Sequence, residues 1–302
     1  MSSISPLVVC FGEILWDNLP TGRNPGGAPM NVAYHLNKLG LQAALISAVG
    51  VDKPGDDLLQ FLADKGVLAD YIQRDHLHQT SEVVASVNED HEVSYKIITD
   101  VAWDYIQQDS KSQDAVAQAS AFVYGSLGAR NAVSRATLLN LLEHSSYNVF
   151  DVNLRAPHYT PELVQQLLAY ANLLKVNAAE LEHLATWNQV NATSEEAIVS
   201  DLFSRYKMEA VVITKGSSGA SFYTREKSFH SKTYQVDVKD TIGSGDSFLA
   251  ALLAMRLSNE SNDVALDTAV AMGAFITSKA GACPQYETTE FNDFKAAHKD
   301  FG

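Results

Sequence analysis

The sequence predicts an α/β fold in which a mainly parallel sheet is covered by helices. Two observations carry this reading. Short apolar runs of strand length alternate with helical patterns along most of the chain, and polar loops carrying glycine fall where a strand gives way to a helix. Strands are expected at 7–12, 44–49, 121–125, 147–151, 172–176, 210–214 and 219–223, and helices at 29–39, 55–65, 132–144, 160–171, 194–206, 246–257 and 263–280. The 302 residues, 46% hydrophobic, suffice for a full core, and residues 1–302 read as a single domain without repeats or low-complexity linkers.

Two places break the alternation. Residues 12–20 run on past the first strand with no helix, and 82–99 alternate in a β pattern around a turn at Asn88-Glu89-Asp90. Together they form either a small β-layer projecting from the sheet or an edge hairpin that extends it.

The first strand ends in Gly12-Glu13-Ile14-Leu15-Trp16-Asp17, and Gly26-Gly27-Ala28-Pro29-Met30-Asn31 follows closely. A glycine pair opening a helix with proline at its start offers bare backbone N–H groups. With the Asp17 carboxylate and the Asn31 amide it makes a candidate sugar site, although a lone Asp there is also an ordinary turn residue. Further on, Asp151-Val152-Asn153-Leu154-Arg155 places three polar side chains at alternate positions of an extended segment, which is also what strand-end caps look like. Lys175-Val176-Asn177-Ala178-Ala179-Glu180 ends a strand and opens a helix, and Asn-x-x-Glu is itself a capping box. A buried-type strand then leads into Thr214-Lys215-Gly216-Ser217-Ser218-Gly219, a turn that a hairpin would share.

The strongest stretch is Asp240-Thr241-Ile242-Gly243-Ser244-Gly245-Asp246, a small polar loop running into an apolar helix. Its glycines let amides approach an anion at the positive end of a helix dipole. A plain phosphate cradle has no use for Asp246, which would repel the anion. Phosphoryl transfer does, since it needs donors around the transferred group and a carboxylate to orient or deprotonate the attacking hydroxyl. N-cap and turn chemistry would produce the same letters.

The formal net charge of −14 argues against nucleic acid and anionic membrane as partners. Cys10 and Cys283 are too few and too far apart for a disulfide framework, which fits a reducing cytoplasm. The N-terminus lacks a basic signal region, and no apolar run approaches the roughly 18 residues of a membrane span. There is no Gly-Lys dipeptide and hence no P-loop. Asp300-Phe301-Gly302 spells the protein-kinase metal motif by coincidence, at the chain end, and the sequons at Asn191 and Asn259 carry no weight in a cytoplasmic protein.

Asp-Thr-x-Gly-Ser-Gly-Asp resembles the second signature of the ribokinase-like (PfkB) carbohydrate kinases, with Ser244 where alanine is commoner, and Gly-Gly-x-x-x-Asn resembles the first. The motifs occur in family order over essentially the whole chain. The resemblance implies a ribokinase-like fold with a small β-lid at about 12–20 and 82–99, which in the family closes over the sugar and often forms a dimer contact. It implies Asp246 as catalytic base and Gly243, Ser244 and Gly245 as the anion hole. It assigns the sugar to Asp17, Gly26, Gly27 and Asn31, with Asn153 and Arg155 from an element like that of fructokinases and 2-keto-3-deoxygluconate kinases. ATP falls to Lys175, Asn177, Glu180, Thr214, Lys215, Gly216, Gly219 and Thr241, with Mg²⁺ held indirectly near Glu180. Asp240, the Ile242 carbonyl and the Gly281 turn resemble a monovalent-cation site, for K⁺. Adenine is expected against the run 265–280, near Val270, Met272 or Gly273, and against the turn Gly281-Ala282-Cys283-Pro284. Ala28-Pro29, where ribokinases carry Lys after the glycine pair, is the fructokinase-like form. ATP-dependent phosphorylation of fructose to fructose 6-phosphate is therefore expected, with a 2-keto-3-deoxygluconate or other sugar kinase, or a sensor without turnover, as alternatives.

Overall fold

The computed structural model describes residues 5–19, 22–87, 93–190 and 194–298. The turn at 88–90, the sequon Asn191 and the motif at 300–302 lie outside these residues. The first third of the chain supplies β1 (Leu7–Phe11), β2 (Leu15–Leu19), β3 (Gly22–Gly26), α1 (Ala28–Lys38), β4 (Gln42–Gly50), α2 (Lys53–Asp64), β5 (Ile72–Asp75), β6 (Ser81–Val87) and β7 (Val93–Ile97). Then follow α3 (Ser110–Gln118), β8 (Ala121–Gly125), α4 (Ala132–His144), β9 (Asn148–Asp151), α5 (Pro161–Leu168), β10 (Leu173–Asn177), α6 (Ala178–Trp187) and α7 (Glu195–Arg205). The last third holds β11 (Ala210–Thr214), β12 (Ala220–Thr224), β13 (Ser228–Ser231), α8 (Ser244–Leu257), α9 (Asn262–Thr277) and α10 (Thr288–Ala297).

Nine strands form one sheet in the order β13-β12-β11-β10-β9-β8-β1-β4-β5. From β5 to β11 all pairs are parallel, and β12 and β13 close one edge antiparallel. The strands are nearly continuous apolar runs because both faces are covered. Alternate residues part accordingly. Val8 and Cys10 of β1, with Val212 of β11, join α1, α2, α8 and α9 on one face. Val9, Phe11, Val211 and Ile213 join α3 to α7 on the other.

The chain goes from β1 to β4 on one side of the sheet and later returns to β8 on the other, so β1 and β8 mark a topological switch point. Ligands bind outside the carboxyl ends of strands at such a point. Gly12, Asp151, Asn177 and Thr214 all stand at these ends.

The two irregular segments form a separate four-stranded sheet, β3-β2-β6-β7, so the edge-hairpin alternative is not what the chain adopts. The expected strands and helices are all present, with ends displaced by up to three residues. Sequence periodicity missed β3, β5, β13, α3 and α10. The three strands are short and partly exposed, α3 has a polar sequence, and α10 has one buried side chain, Phe291.

Candidate active site

Most helices here are started by a side-chain cap. Asp52, Asn131, Thr160 and Ser194 each accept a first-turn N–H of their own helix. Helices α1 and α8 begin instead on Gly27 and Gly243, which have no side chain to act as a cap. Gly27 has φ 114° and Gly243 φ 76°, and a Cβ at Gly27 would fall on the Glu13 carbonyl oxygen, so neither position tolerates a side chain without displacement. The first-turn amides of α8, at Gly245 and Asp246, are thereby left for an acceptor from outside the helix.

Both helix starts open on a cleft of about 710 Å³. From the first half of the chain it is lined by Glu13, Asp17, Gly27 and Asn31, and by Val83, Lys96 and Ile97 of the small sheet. The second half contributes Asn153, Arg155, Lys175, Asn177, Glu180, Thr214, Thr241, Ile242, Gly243, Gly245 and Asp246. A second cavity of about 390 Å³ shares Thr214, Thr241 and Gly245 with it and extends past Gly216, Gly219 and Ser244 to Val270 and Gly273 on α9.

Asp246 lines the first cavity and follows directly on Gly245, which both cavities share. Its Oδ2 accepts a hydrogen bond from Asn31 Nδ2 at 2.8 Å, which joins α8 to α1. Asn31 Oδ1 in turn accepts from Cys283 Sγ at 3.3 Å, so its amide is held from both ends. Burial pushes the Asp246 carboxyl up to about 6, with Asp151 adding to the rise and Lys175 and Asn31 opposing it. Asp17 is likewise raised to about 6 by burial, with Arg155 opposing. A group near 6 is a stronger proton acceptor than an ordinary carboxylate and is still ionised at neutral pH.

Lys175 sits beneath Gly245, 7% exposed, and its Nζ donates to both oxygens of Asp151 at 2.8 Å. Burial works most strongly against its charge, yet Asp151, Asp246 and Glu180 together outweigh it and the ammonium is raised above its ordinary value. Glu180 closes the capping box of α6: Asn177 Oδ1 accepts from Glu180 N–H, and Glu180 Oε2 accepts from Asn177 N–H, both at 2.9 Å. Its Oε1 accepts from Leu154 N–H at 2.9 Å. With both oxygens on amides, Glu180 fits a magnesium ion held through water better than one held directly. Asn153, at φ 40°, adopts the left-handed region that Asn tolerates best among residues with a side chain, and so turns the chain into the cleft.

Several expected residues stand elsewhere. Lys215 lines neither cavity. Its Nζ bonds Glu195 at 2.8 Å and Ser221 Oγ at 2.5 Å, so its charge is directed to Glu195 rather than toward a phosphate. Met272 is fully buried in the core and does not line the second cavity, unlike Val270 and Gly273. The turn 281–284 does not wall that cavity either, because α1 grips it: Tyr34 OH donates to the Pro284 carbonyl at 2.7 Å and His35 Nε2 lies 2.9 Å from the Ala282 carbonyl. Asp240 and Gly281 also stand apart from both cavities. Asp240 accepts Ile242 N–H and Gly281 N–H, each at 3.0 Å. Gly26 packs on Asp17, where a Cβ would overlap the carboxylate.

Sequence reasoning gave no role to Glu13 or Lys96, named Asp151 only as one of three alternating polar residues, and placed Cys283 only in the turn expected against adenine. Glu13 and Asp151 left a usable signal, an acidic residue at or just past the end of an apolar strand. Lys96 and Cys283 left none.

The profile of the pfkB family carbohydrate kinases matches residues 12–289. A fructokinase of Solanum tuberosum is 30% identical over 94% of this chain and 93% of its own length. Among solved structures, a fructokinase with bound ATP from Xylella fastidiosa superposes with TM-score 0.84 at 22% identity, covering 97% of this chain and 99% of that one. A fructokinase from Vibrio cholerae O395 holding fructose, ADP and calcium does so with TM-score 0.81 at 24% identity, covering 96% and 99%. With the family profile spanning nearly the whole chain and the glycine-led starts of α1 and α8 facing one cleft, this protein belongs to the pfkB family of carbohydrate kinases.

Proposed function

We propose that the chain transfers the γ-phosphoryl group of ATP to the primary hydroxyl of fructose, giving fructose 6-phosphate. The observation that carries this reading is the place of Asp246, in the first cavity beside Gly245, which both cavities share, and in the uncapped first turn of α8. Asp17 and Asn31 hold sugar hydroxyls while the small sheet excludes water. Asp246 takes the hydroxyl proton as the oxygen attacks. The Gly245 and Asp246 amides receive the developing charge on the transferred group, with Lys175 close beneath. Magnesium, when bound, supplies charge neutralisation to the phosphates, and Asn177 and Glu180 are the residues placed to hold its waters. The triphosphate runs along Thr214, Gly216 and Gly219 toward the second cavity, which takes the base. The fructokinases of similar sequence and the solved fructokinase holding fructose and ADP support the choice of sugar.

Lys96 and Arg155 both line the cleft and favour one other substrate, an acidic sugar such as 2-keto-3-deoxygluconate. The deciding experiment is Mg·ATP turnover on fructose, ribose, glucose, adenosine and 2-keto-3-deoxygluconate. Turnover on fructose above the rest sustains the proposal, and a preference for the acidic sugar replaces the substrate alone. Silence on all five overturns fructose as the substrate and points to a sugar outside the panel or to a sensor. A potassium site at Asp240, Ile242 and Gly281, a homodimer through the small sheet and a cytoplasmic location complete the proposal. Exchange of K⁺ for Na⁺ and light scattering test the first two.

A further inference from the structure

Glu13 is buried, 4% exposed, at the inner end of the sugar cleft, and the reaction outlined above does not use it. Its Oε1 accepts from Ala28 N–H at 3.2 Å, supplying from 15 residues away the cap that Gly27 cannot give α1. Its Oε2 is buried with no partner among the described residues. Its main chain is engaged too, since the Gly27 bend rests against the Glu13 carbonyl and Ile14. One turn on, Asn31 N–H donates to the Gly27 carbonyl at 2.9 Å, and the Asn31 amide holds Asp246. Glu13 thus stands at the head of a contact chain that ends on the base.

We propose that Glu13 is a positioning residue which works as a neutral carboxylic acid, seating the first turn of α1 so that Asn31 meets Asp246. Geometry requires the neutral form, because a carboxylate with one oxygen sealed from water and unpaired is expensive, whereas a protonated oxygen is far less so. The charges around it do not reverse this. Asp17 on β2, Asp151 on β9 and Asp246 on α8 are acidic, and Lys96, Arg155 and Lys175 line the same cleft. Burial raises the Glu13 carboxyl to about 7, with its own N–H and that of Ala28 opposing, Arg155 opposing further and Asp246 adding to the rise. Ionisation above that pH therefore strains the seat of α1.

The inference rests on Asp246 as base for its kinetic consequence, but its titration can be read without any sugar. Glu13→Gln keeps an acceptor for Ala28 N–H and stays neutral at every pH, while Glu13→Ala removes the cap. Melting of wild type and Glu13→Gln without ligands is followed from pH 5 to pH 8. The wild type is expected to lose ground to the variant up to about pH 7, where its unfolded state has already released, from 4.5 upward, a proton that its folded state still holds, and to lose no more above about 7, where both states are ionised. Parallel melting curves would overturn the neutral acid, and this holds even if Glu13→Ala fails to fold or no tested sugar is a substrate. In turnover with Mg·ATP and the preferred sugar, Glu13→Ala should lose about tenfold to a hundredfold in kcat/KM, the scale of a misplaced reacting pair, and its acid limb should move upward. Glu13→Gln should restore most of that loss. A Glu13→Gln enzyme as poor as Glu13→Ala, or a Glu13→Ala enzyme with the wild-type acid limb, would refute the positioning role.

Discussion

Asn31 Nδ2 donates to Asp246 Oδ2 at 2.8 Å across 215 residues of chain, tying the first turn of α1 to the first turn of α8. The bond favours the ionised carboxylate, against the burial that raises it. Asp246→Asn is expected to lower kcat by about 10²-fold or more, the usual contribution of a general base, and to leave ATP affinity nearly intact. Turnover assays with nucleotide titration calorimetry check both parts. Near-full turnover in the variant would remove the base from the mechanism.

The pH profile follows from the same residue. With Asp246 raised to about 6, kcat/KM should fall below that pH as the base is protonated. Asn31→Ala removes a donor to the ionised form and should shift this limb to higher pH. An acid limb near 4 in the wild type would contradict the assignment.

Cys283 is expected to act as a hydrogen-bond donor and not as a nucleophile. Burial raises its thiol well above the ordinary range, with Asp246 adding to the effect, so the thiolate needed for alkylation is scarce. Iodoacetamide at pH 8 should therefore inactivate the enzyme slowly. Cys283→Ser, which keeps a donor for Asn31 Oδ1, should retain activity better than Cys283→Ala. Rapid inactivation would overturn this.

Lys175 and Asp151 form an ion pair that is nearly sealed from water. Lys175→Met leaves the Asp151 charge buried alone and should cost about 3–5 kcal/mol, whereas the double variant Asp151→Asn/Lys175→Met should recover part of it. Urea denaturation of the single and double variants measures the difference. A loss under 1 kcal/mol in Lys175→Met would mean that water reaches Asp151.

The parallel sheet could be read because every strand covered on both faces is an apolar run, as in Val211-Val212-Ile213. Of the second sheet, β6 and β7 were legible in the alternation at 82–99, whereas β2 was legible only as an interruption and β3 not at all, since these two hold Asp17, Asn18, Arg23 and Asn24, residues that say turn rather than strand. At the site, glycine gave the clearest signal: Gly27 and Gly243 mark helix starts whose N-cap residue has no side chain to cap them, and sequence can show that. Direction is different. Nothing in Thr-Lys-Gly says that Lys215 turns to Glu195, because the partner comes from α7 and only packing brings it there. Glu13 stood visibly just past a strand end, but its contact with Ala28 could not be read for a related reason, since the turn of the chain creates it.

The grip of α1 on the last part of the chain also bears on how the protein is made. During synthesis β1, α1, β4 and α2 emerge early and can pair at once, with β1 and β4 as neighbours. The apolar side of α1 packs with α8 and α9, and its Asn31, Tyr34 and His35 find their partners at Asp246, Pro284 and Ala282, all still inside the ribosome at that stage. A nascent chain stalled before residue 240 would carry α1 uncovered, an exposed hydrophobic face of the kind chaperones recognise. Emergence of the segment through Pro284, and not closure of the early strands, is then the step at which the apolar face of α1 is covered and Asn31 meets Asp246.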